Sequence, residues 1–260
     1  MAVGDVRDPS SLGAAVAGAR TVVSAVHGFA GPGRVSPESV DRDGNANVFA
    51  AARAASADVV LVSVVGAAAR HPMELFRMKA AAEKNLRTSG APWTIIRATA
   101  FLDLYLDLMR RTAGKSGRPL VFGRGENPIN FVAVSDVALT VVDAALDPSQ
   151  RGRSVTVTGP RNLTLNELAA VAQQELGTAA KTPRHIPRGA LRVLAATNVV
   201  GNSAVSRQAN AALIMDTTDM TVDRDHSPAS DTVTDTGSSP QALLARSRTR
   251  AVPGRLSARR

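Results

Sequence analysis

Three runs of apolar, mostly β-branched residues mark the first hundred positions of the chain. They cover residues 21–26, 58–65 and 93–97. Residues of this kind favour strands, and a run that is apolar throughout is typical of a strand buried on both faces of a parallel sheet. We therefore predict that the three runs form adjacent parallel strands.

The segments between these runs have the spacing of helices. Asp8 and Pro9 supply an N-cap and a first helical residue for a helix that ends before Gly18. Residues 44–55 are rich in alanine, and residues 73–89 carry a stripe of apolar side chains three or four positions apart. Strands that alternate with helices indicate right-handed crossovers and a doubly wound sheet.

The pattern changes beyond Ala100. Short strands are predicted at 120–122, 129–134 and 154–158, and helices at 134–146 and from a capping box at Thr164 to Leu176. After Thr217 the chain is rich in Asp, Thr and Ser, with one more capped helix expected near 240–246. We predict a core over 1–160, a small α+β lobe over 161–217 and a mostly disordered basic tail over 218–260.

Composition excludes several kinds of site. The 260 residues contain no cysteine, which excludes disulfides, thiolate metal sites and a cysteine nucleophile. The four histidines lack the spacing of metal ligands, so we expect no metal site. No apolar run approaches the roughly 20 residues of a membrane helix, and the first residues do not resemble a secretion signal. A cytoplasmic protein without a membrane partner is expected.

The net charge of +9 raises the question of a nucleic-acid partner. Six arginines stand in the last fifteen residues, whereas binding surfaces interleave basic and aromatic residues on folded elements. This distribution argues against nucleic acid and favours a solvated tail. A protein partner stays open.

Several short motifs follow one another in a familiar order. The main ones are Gly4-Asp5-Val6, Val23-Ser24-Ala25-Val26, Lys79 with Glu83 and Leu86 as KxxxExxL, Thr94-Ile95-Ile96-Arg97, and FVAVSDVA over 131–138. In this order they resemble the atypical and extended short-chain dehydrogenases, particularly the NmrA-like NAD(P)-binding group. The resemblance implies a Rossmann-like fold, an NAD(P) cofactor and a small-molecule substrate of unknown identity.

The beginning of the family pattern is not found in this sequence. Members start with a strand, a glycine-rich phosphate loop and a helix, whereas Met1 corresponds to the end of the third strand. We therefore expect an α/β fold with an N-terminally truncated, doubly wound parallel sheet. We also expect the chain to bind NAD(P) weakly. Nothing here selects NAD or NADP. The GFAGPG segment at 28–33 follows a strand, but its glycine spacing differs from that of a phosphate-binding loop and its proline lacks an amide hydrogen. It is interpreted either as an ordinary flexible loop over the site or as a direct ligand contact.

The resemblance also assigns site residues. Lys79 and Ser63 take the positions of the catalytic lysine and serine, with Lys79 also at the cofactor ribose. The other residues expected at the cofactor are Asp5 and Val6 on the adenine side, Ser24, Ala25 and Val26 at a strand edge, and Arg97, Ala98, Thr99 and Phe101 on the nicotinamide side.

The family's catalytic tyrosine has no counterpart in this sequence. Leu75 stands four residues before Lys79, and a leucine cannot donate a proton. The single tyrosine, Tyr105, falls on another element, which leaves His27 and His71 as alternative donors or as ordinary loop histidines.

Other candidates also have structural interpretations. Lys79 is alternatively a solvated helix lysine, and Ser63 a serine satisfied at a strand end. Asp136 is interpreted as a structural cap rather than an acid.

Two functions follow: an NAD(P)-dependent oxidoreductase, or a non-catalytic NmrA-like nucleotide sensor. An inactive truncated remnant is a third possibility.

Overall fold

The computed structural model describes residues 3–196 and 203–222 and the backbone of 231–235. Its strands are β1 (Thr21–Ser24), β2 (Asp58–Val64), β3 (Trp93–Ala98), β4 (Ala100–Phe101), β5 (Leu120–Phe122), β6 (Ile129–Val132), β7 (Arg153–Thr158), β8 (Asn162–Leu163), β9 (Arg184–Ile186) and β10 (Asp231–Asp235). Its helices are α1 (Leu12–Val16), α2 (Asn45–Ala54), α3 (Glu74–Thr88), α4 (Leu102–Ala113), α5 (Val134–Leu146), α6 (Leu165–Glu175), α7 (Arg188–Ala196) and α8 (Ser203–Met215).

The main sheet has the strand order β1-β2-β3-β7-β10, and all its pairs are parallel. The prediction of three adjacent parallel strands is confirmed. The register places Ser24 opposite Leu61 and Ser63 opposite Arg97. The carboxyl ends of β1, β2 and β3 therefore lie along one edge of the sheet.

Helices cover both faces of this sheet. Alternate strand residues point to opposite faces. Leu61 and Ile95 pack in one buried cluster with Phe49 of α2 and residues of α3. Val60 and Ile96 pack in another with residues of α5. The result is the doubly wound α/β arrangement that the strand–helix alternation predicts.

The first helices differ from the predicted bounds. The helix expected over 10–17 is a 3-10 turn, Pro9–Ser11, followed by the short α1. The helix expected over 44–55 is α2. A π-helical segment that was not predicted, Pro37–Gly44, precedes it. A capping box starts that segment, because the Ser36 hydroxyl accepts from the Ser39 N–H while the Ser39 hydroxyl accepts from the Ser36 N–H.

A second group of elements packs beside the carboxyl edge. Its apolar cluster joins residues of α3, α4 and β6 to residues of α6 and α8. The predicted capping box at the start of α6 is present, with the Thr164 hydroxyl accepting from the Glu167 N–H at 3.1 Å. The cluster mixes residues from both sides of the predicted boundary at residue 160, because α4 and β6 face this lobe.

Residues after Thr217 contribute more structure than the sequence pattern indicates. Met220 packs against the lobe, and its carbonyl accepts from the Asn130 N–H at 3.0 Å. Strand β10 adds to β7 as the fifth strand of the main sheet. The helix expected near 240–246 and the terminal arginines lie outside the described residues. Within the described ranges, no helix has the length and apolar character needed to cross a membrane.

Candidate functional site

The carboxyl edge of β1, β2 and β3 gathers three connecting segments. Residues 25–36 follow β1, residues 65–73 follow β2, and Thr99 follows β3. In open parallel sheets, ligands bind outside this edge, because the segments leaving neighbouring strands form a crevice there. The structure thus brings Ser24, Ala25, Val26 and the 97–101 segment to one edge, as the resemblance implies.

A buried cluster around Lys79 joins the segment after β1 to β2 and to the helical segment Pro37–Gly44. The Lys79 Nζ donates to the carbonyls of Val26 at 3.0 Å and Val62 at 3.1 Å, and it lies 3.0 Å from Oδ1 of Asp41. Asp41 is fully buried, and its Oδ2 accepts from the Gly28 N–H at 2.8 Å. We call these five residues the lysine cluster.

The lysine cluster changes the interpretation of Lys79. The residue is 5% exposed, so its interpretation as a solvated helix lysine is wrong. An ammonium has three N–H groups, and three acceptors already lie within 3.1 Å of it. The contact with a cofactor ribose stays a prediction, and it requires Lys79 to exchange one of these partners.

Ser24 also uses its side chain internally. Its hydroxyl donates to Oδ1 of Asn45 at 2.5 Å, and the Asn45 amide donates to the carbonyl of Asp41 at 2.8 Å. Ser24 is buried, whereas the next residue, Ala25, is exposed. A ligand at this strand end therefore meets the backbone around Ala25 rather than the serine hydroxyl.

A second buried cluster surrounds Glu83. The Ser63 hydroxyl donates to Oε1 at 2.6 Å, and Arg97 donates from Nε to Oε1 at 3.0 Å and from Nη2 to Oε2 at 2.7 Å. Arg87, one turn further along α3, donates to Oε2 at 3.1 Å. We call these four residues the glutamate cluster. The hydrogen bond to Glu83 matches the interpretation of Ser63 as a serine satisfied at a strand end. A contact of Ser63 with substrate stays a prediction.

The charge state of Glu83 follows from these partners. Burial raises the pKa of the carboxyl, but the hydrogen bonds from Arg97 and Ser63 and the charges of Arg97 and Arg87 outweigh burial and leave the pKa below its usual value. Glu83 is therefore ionised at neutral pH and is not a general acid.

The segment that the resemblance places on the nicotinamide side forms a wall braced by hydrogen bonds. Ala98 is buried at the end of β3. The Thr99 hydroxyl donates to Oδ1 of Asn130 at 3.0 Å, and that oxygen also accepts from the Gly159 N–H at 2.8 Å. Phe101 packs against the cluster under α5. Asn130, which the motifs did not single out, fixes the wall between β3 and the end of β7.

Asp5 and Val6 are anchored in different ways. Asp5 is exposed, and its carboxylate accepts from Arg7, which lowers its pKa to about 2. The Val6 side chain packs against the α2 side of the core, and its carbonyl accepts from the Asn47 amide at 2.9 Å. Their contact with the adenine side of a cofactor stays a prediction.

The glycine-containing loop after β1 is held at both ends. The Gly28 N–H is committed to Asp41, and a Cβ at Gly28 would lie 2.1 Å from the carbonyl oxygen of Ser36. Arg207 of α8 donates to the carbonyls of Phe29, Gly31 and Val35 at 3.2, 2.8 and 3.1 Å. The loop is thus tied to the lobe, and Gly28 has no amide hydrogen to offer a phosphate.

We expect Arg207→Ala to loosen this loop. Losing several hydrogen bonds to half-buried carbonyls favours local opening, so amide exchange over residues 28–36 should rise by about tenfold or more. Arg207→Lys is the matched control for charge, because a single ammonium nitrogen cannot take the places of both Nε and Nη2, which donate from separate positions of the guanidinium. In hydrogen-exchange mass spectrometry, the loop of the lysine variant should exchange about as fast as that of the alanine variant. Unchanged exchange in both variants would show that the arginine does not hold the loop.

Tyr105 is not placed to act as a proton donor. Its ring meets Phe131 edge to face at 5.3 Å, its hydroxyl contacts the sulfur of Met215 at 3.0 Å, and burial raises its pKa. Asp136 is buried in the first turn of α5, where the N-cap position belongs to Ala133. It occupies a structural position, although it is not the cap itself.

Comparison with known sequences identifies related proteins. The profile of a family described as NAD(P)H-binding matches residues 1–148. An NAD(P)H azoreductase from Xenophilus azovorans is 27% identical over 179 residues, which make up 68% of this chain and 58% of that protein. The chain thus spans little more than half the length of this relative.

Solved structures share the fold. An NADPH-dependent quinone oxidoreductase from Escherichia coli, in complex with NADPH, has a TM-score of 0.65 at 19% identity, over 85% of this chain and 75% of the other. A triphenylmethane reductase from Citrobacter sp., in complex with NADP(H), has a TM-score of 0.64 at 20% identity, over 85% and 74%. At these identities the likeness is one of fold.

Proposed function

Because the chain belongs to the NAD(P)H-binding family, we propose that it acts as an NAD(P)-dependent oxidoreductase on a small molecule. The observation that carries this proposal is the edge where β1, β2 and β3 end, which lies within the matched residues 1–148. The segments leaving that edge form the crevice in which such folds bind a dinucleotide.

The described residues fit a dinucleotide along this edge. The exposed backbone at Ala25 and the half-buried Val26 offer a flat strand end, and the braced wall from Arg97 to Phe101 offers a second side. The side chains of Ser24 and Ala98 at this edge are small and buried. Bound there, the cofactor would supply a hydride, while the protein positions the substrate against it.

We propose a conjugated, electron-poor substrate. The azo compounds, quinones and triphenylmethane compounds in the names of the related proteins accept a hydride into an extended π system. Such acceptors delocalise the incoming electron pair, so they depend less on a strong acid than simple ketones do. This agrees with a chain in which Leu75 stands where a tyrosine is expected and the hydroxyl of the half-buried Tyr105 faces the sulfur of Met215.

Turnover is tested by mixing the purified chain with NADPH and a benzoquinone, and separately with an azo dye, and following the loss of reduced-nicotinamide absorbance. We expect oxidation of NADPH that depends on both protein and acceptor. A simple aliphatic ketone serves as the control and should react far more slowly. Equal rates with and without protein for every acceptor would contradict an oxidoreductase.

The proposal includes weak binding of the cofactor by this chain. In the glycine-containing loop after β1, Pro32 has no amide hydrogen, and the N–H groups of Gly28 and Gly31 already donate to Asp41 and to the Gly28 carbonyl. Each missing charge-assisted hydrogen bond to the pyrophosphate removes about 1.5–3 kcal/mol of binding free energy, or one to two powers of ten in affinity. Calorimetric titration with NADPH and NADH should therefore give dissociation constants well above the low-micromolar range. A low-micromolar value would assign the phosphates to residues 28–33.

A nucleotide sensor without turnover is the second candidate. It is favoured by the two clusters, because Lys79 and Ser63 are both bonded internally and Leu75 cannot donate a proton. This candidate predicts that NADPH and NADP⁺ bind with different affinities while none of the acceptors is reduced. Reduction of any acceptor would exclude it.

A further inference from the structure

His71 stands in the segment that leaves β2 at the carboxyl edge. Its ring stacks on Phe76 of α3, with the centroids 4.2 Å apart and the planes at 15°. The Nδ1 atom accepts from the Met73 N–H at 3.0 Å, just where α3 begins. Stacking and hydrogen bond together fix the orientation of the imidazole.

This hydrogen bond also defines the tautomer. A nitrogen that accepts from an N–H carries a lone pair, so the hydrogen of the neutral ring is on Nε2. Among the described residues, Nε2 has no hydrogen-bond partner, and it is not among the buried polar atoms without one. The fixed, half-buried ring therefore carries an N–H donor that solvent can reach.

The surroundings keep this ring neutral. A second proton would have to sit on Nδ1, facing the Met73 N–H at hydrogen-bond distance. Burial lowers the pKa of the imidazole, and the positive charge of Arg77, whose guanidinium donates to the carbonyls of His71 and Pro72, lowers it further. The N-terminus of α3 acts in the same direction. His71 is thus suited to donate a hydrogen bond and unsuited to release a proton.

We propose that His71 is the residue that polarises the substrate, through a hydrogen bond from Nε2–H to the oxygen or nitrogen that receives the electron pair. This inference rests on the proposed function. In that reaction a hydride leaves the reduced nicotinamide and forms a bond to the substrate, whose π electrons move to the heteroatom. NAD(P)H is oxidised to NAD(P)⁺, and the heteroatom takes its proton from water.

The place of His71 in the chain supports this role. Leu75 occupies the position of the missing tyrosine in the first turn of α3, and His71 precedes the same end of that helix. Phe76, on which the ring stacks, packs into the apolar cluster of the lobe. The His71 ring therefore lies where the segment that leaves β2 at the carboxyl edge meets the lobe, the region in which a substrate beside the nicotinamide would bind.

The first test is spectroscopic. In long-range ¹H–¹⁵N spectra of the labelled chain, we expect His71 to show the neutral Nε2–H tautomer at neutral pH. Addition of NADP⁺ with a benzoquinone should shift its Nε2 resonance. An imidazolium at neutral pH, an Nδ1–H tautomer, or an Nε2 resonance that no acceptor shifts would overturn the proposal, whether or not the chain turns over.

The second test uses two variants, each of which retains one of the two hydrogen-bonding functions of the imidazole. His71→Asn retains an acceptor near Nδ1 for the Met73 N–H and removes the outer donor, whereas His71→Gln retains a donor near Nε2. We expect the asparagine variant to keep its unfolding midpoint and NADPH affinity and to lose about 100-fold in kcat/KM, with partial recovery in the glutamine variant. A purely structural role predicts the reverse: unchanged kcat/KM in His71→Asn and lower stability in His71→Gln. Absence of turnover in the unchanged chain would count against the proposed function, and the spectra would then decide the role of His71.

Discussion

Lys79→Met should lower the free energy of unfolding by about 3–5 kcal/mol, because it leaves the Asp41 carboxylate buried without its counter-ion. Asp41 is fully buried and Lys79 is 5% exposed, so water cannot replace the lost partner without opening the core. The change also removes the ammonium that joins the carbonyls of Val26 and Val62. Urea unfolding at neutral pH, followed by circular dichroism, measures the loss.

Two controls separate charge burial from loss of packing. Lys79→Met combined with Asp41→Leu removes both charges, and we expect it to recover a large part of the lost stability. Glu38→Gln breaks the exposed pair between Arg42 and Glu38, in which the side chains are 43% and 58% exposed, and should change stability by less than about 0.5 kcal/mol. A loss for Lys79→Met as small as that of Glu38→Gln would mean that the lysine cluster is hydrated.

Glu83→Gln should have the next largest effect, a loss of about 2–4 kcal/mol at neutral pH. The amide can still accept from Ser63, but it leaves the Arg97 guanidinium, 25% exposed, without a countercharge at 2.7 Å. Arg87 is more exposed and contributes less. Asp107→Asn, which breaks the exposed pair of Asp107 with Arg111 on α4, is the matched control and should be close to neutral.

The effect of Glu83→Gln should depend on pH in a defined direction. The pKa of Glu83 is lower in the folded chain than in the unfolded chain, so ionised Glu83 stabilises the fold. That stabilisation is complete above the unfolded pKa of about 4.3 and disappears as the pH falls through the lower folded pKa. The difference in unfolding free energy between the two chains should therefore shrink in acid. A difference that stays constant down to the acid transition would show that the charge of Glu83 is not its cause.

The sheet and its helices could be predicted because their signals are local. Continuous apolar runs marked β1, β2 and β3, and a capping box marked the start of α6. The bounds of α5 were predicted to the residue. The order of short motifs then indicated the family, which the match over residues 1–148 confirms.

The partners of the site residues could not be predicted from sequence. Lys79 looked like either of the two lysines on α3, and its burial depends on Asp41, which lies on the unpredicted segment Pro37–Gly44. Arg207 meets the loop at 28–36 from a helix more than 170 positions away. Strand β10 lies in a polar region that resembled the tail around it. Contacts of this kind depend on tertiary packing, which no local pattern encodes.

Hydrogen-exchange mass spectrometry with millimolar NADPH tests the central claim most directly, because it detects weak binding and locates it. We predict slower amide exchange in the segments that leave the carboxyl edge, residues 25–36, 65–73 and 99–101. Amide exchange within α2 and α3 should not change. Protection of α2 and α3 alone, or none at any NADPH concentration, would contradict a dinucleotide site at this edge.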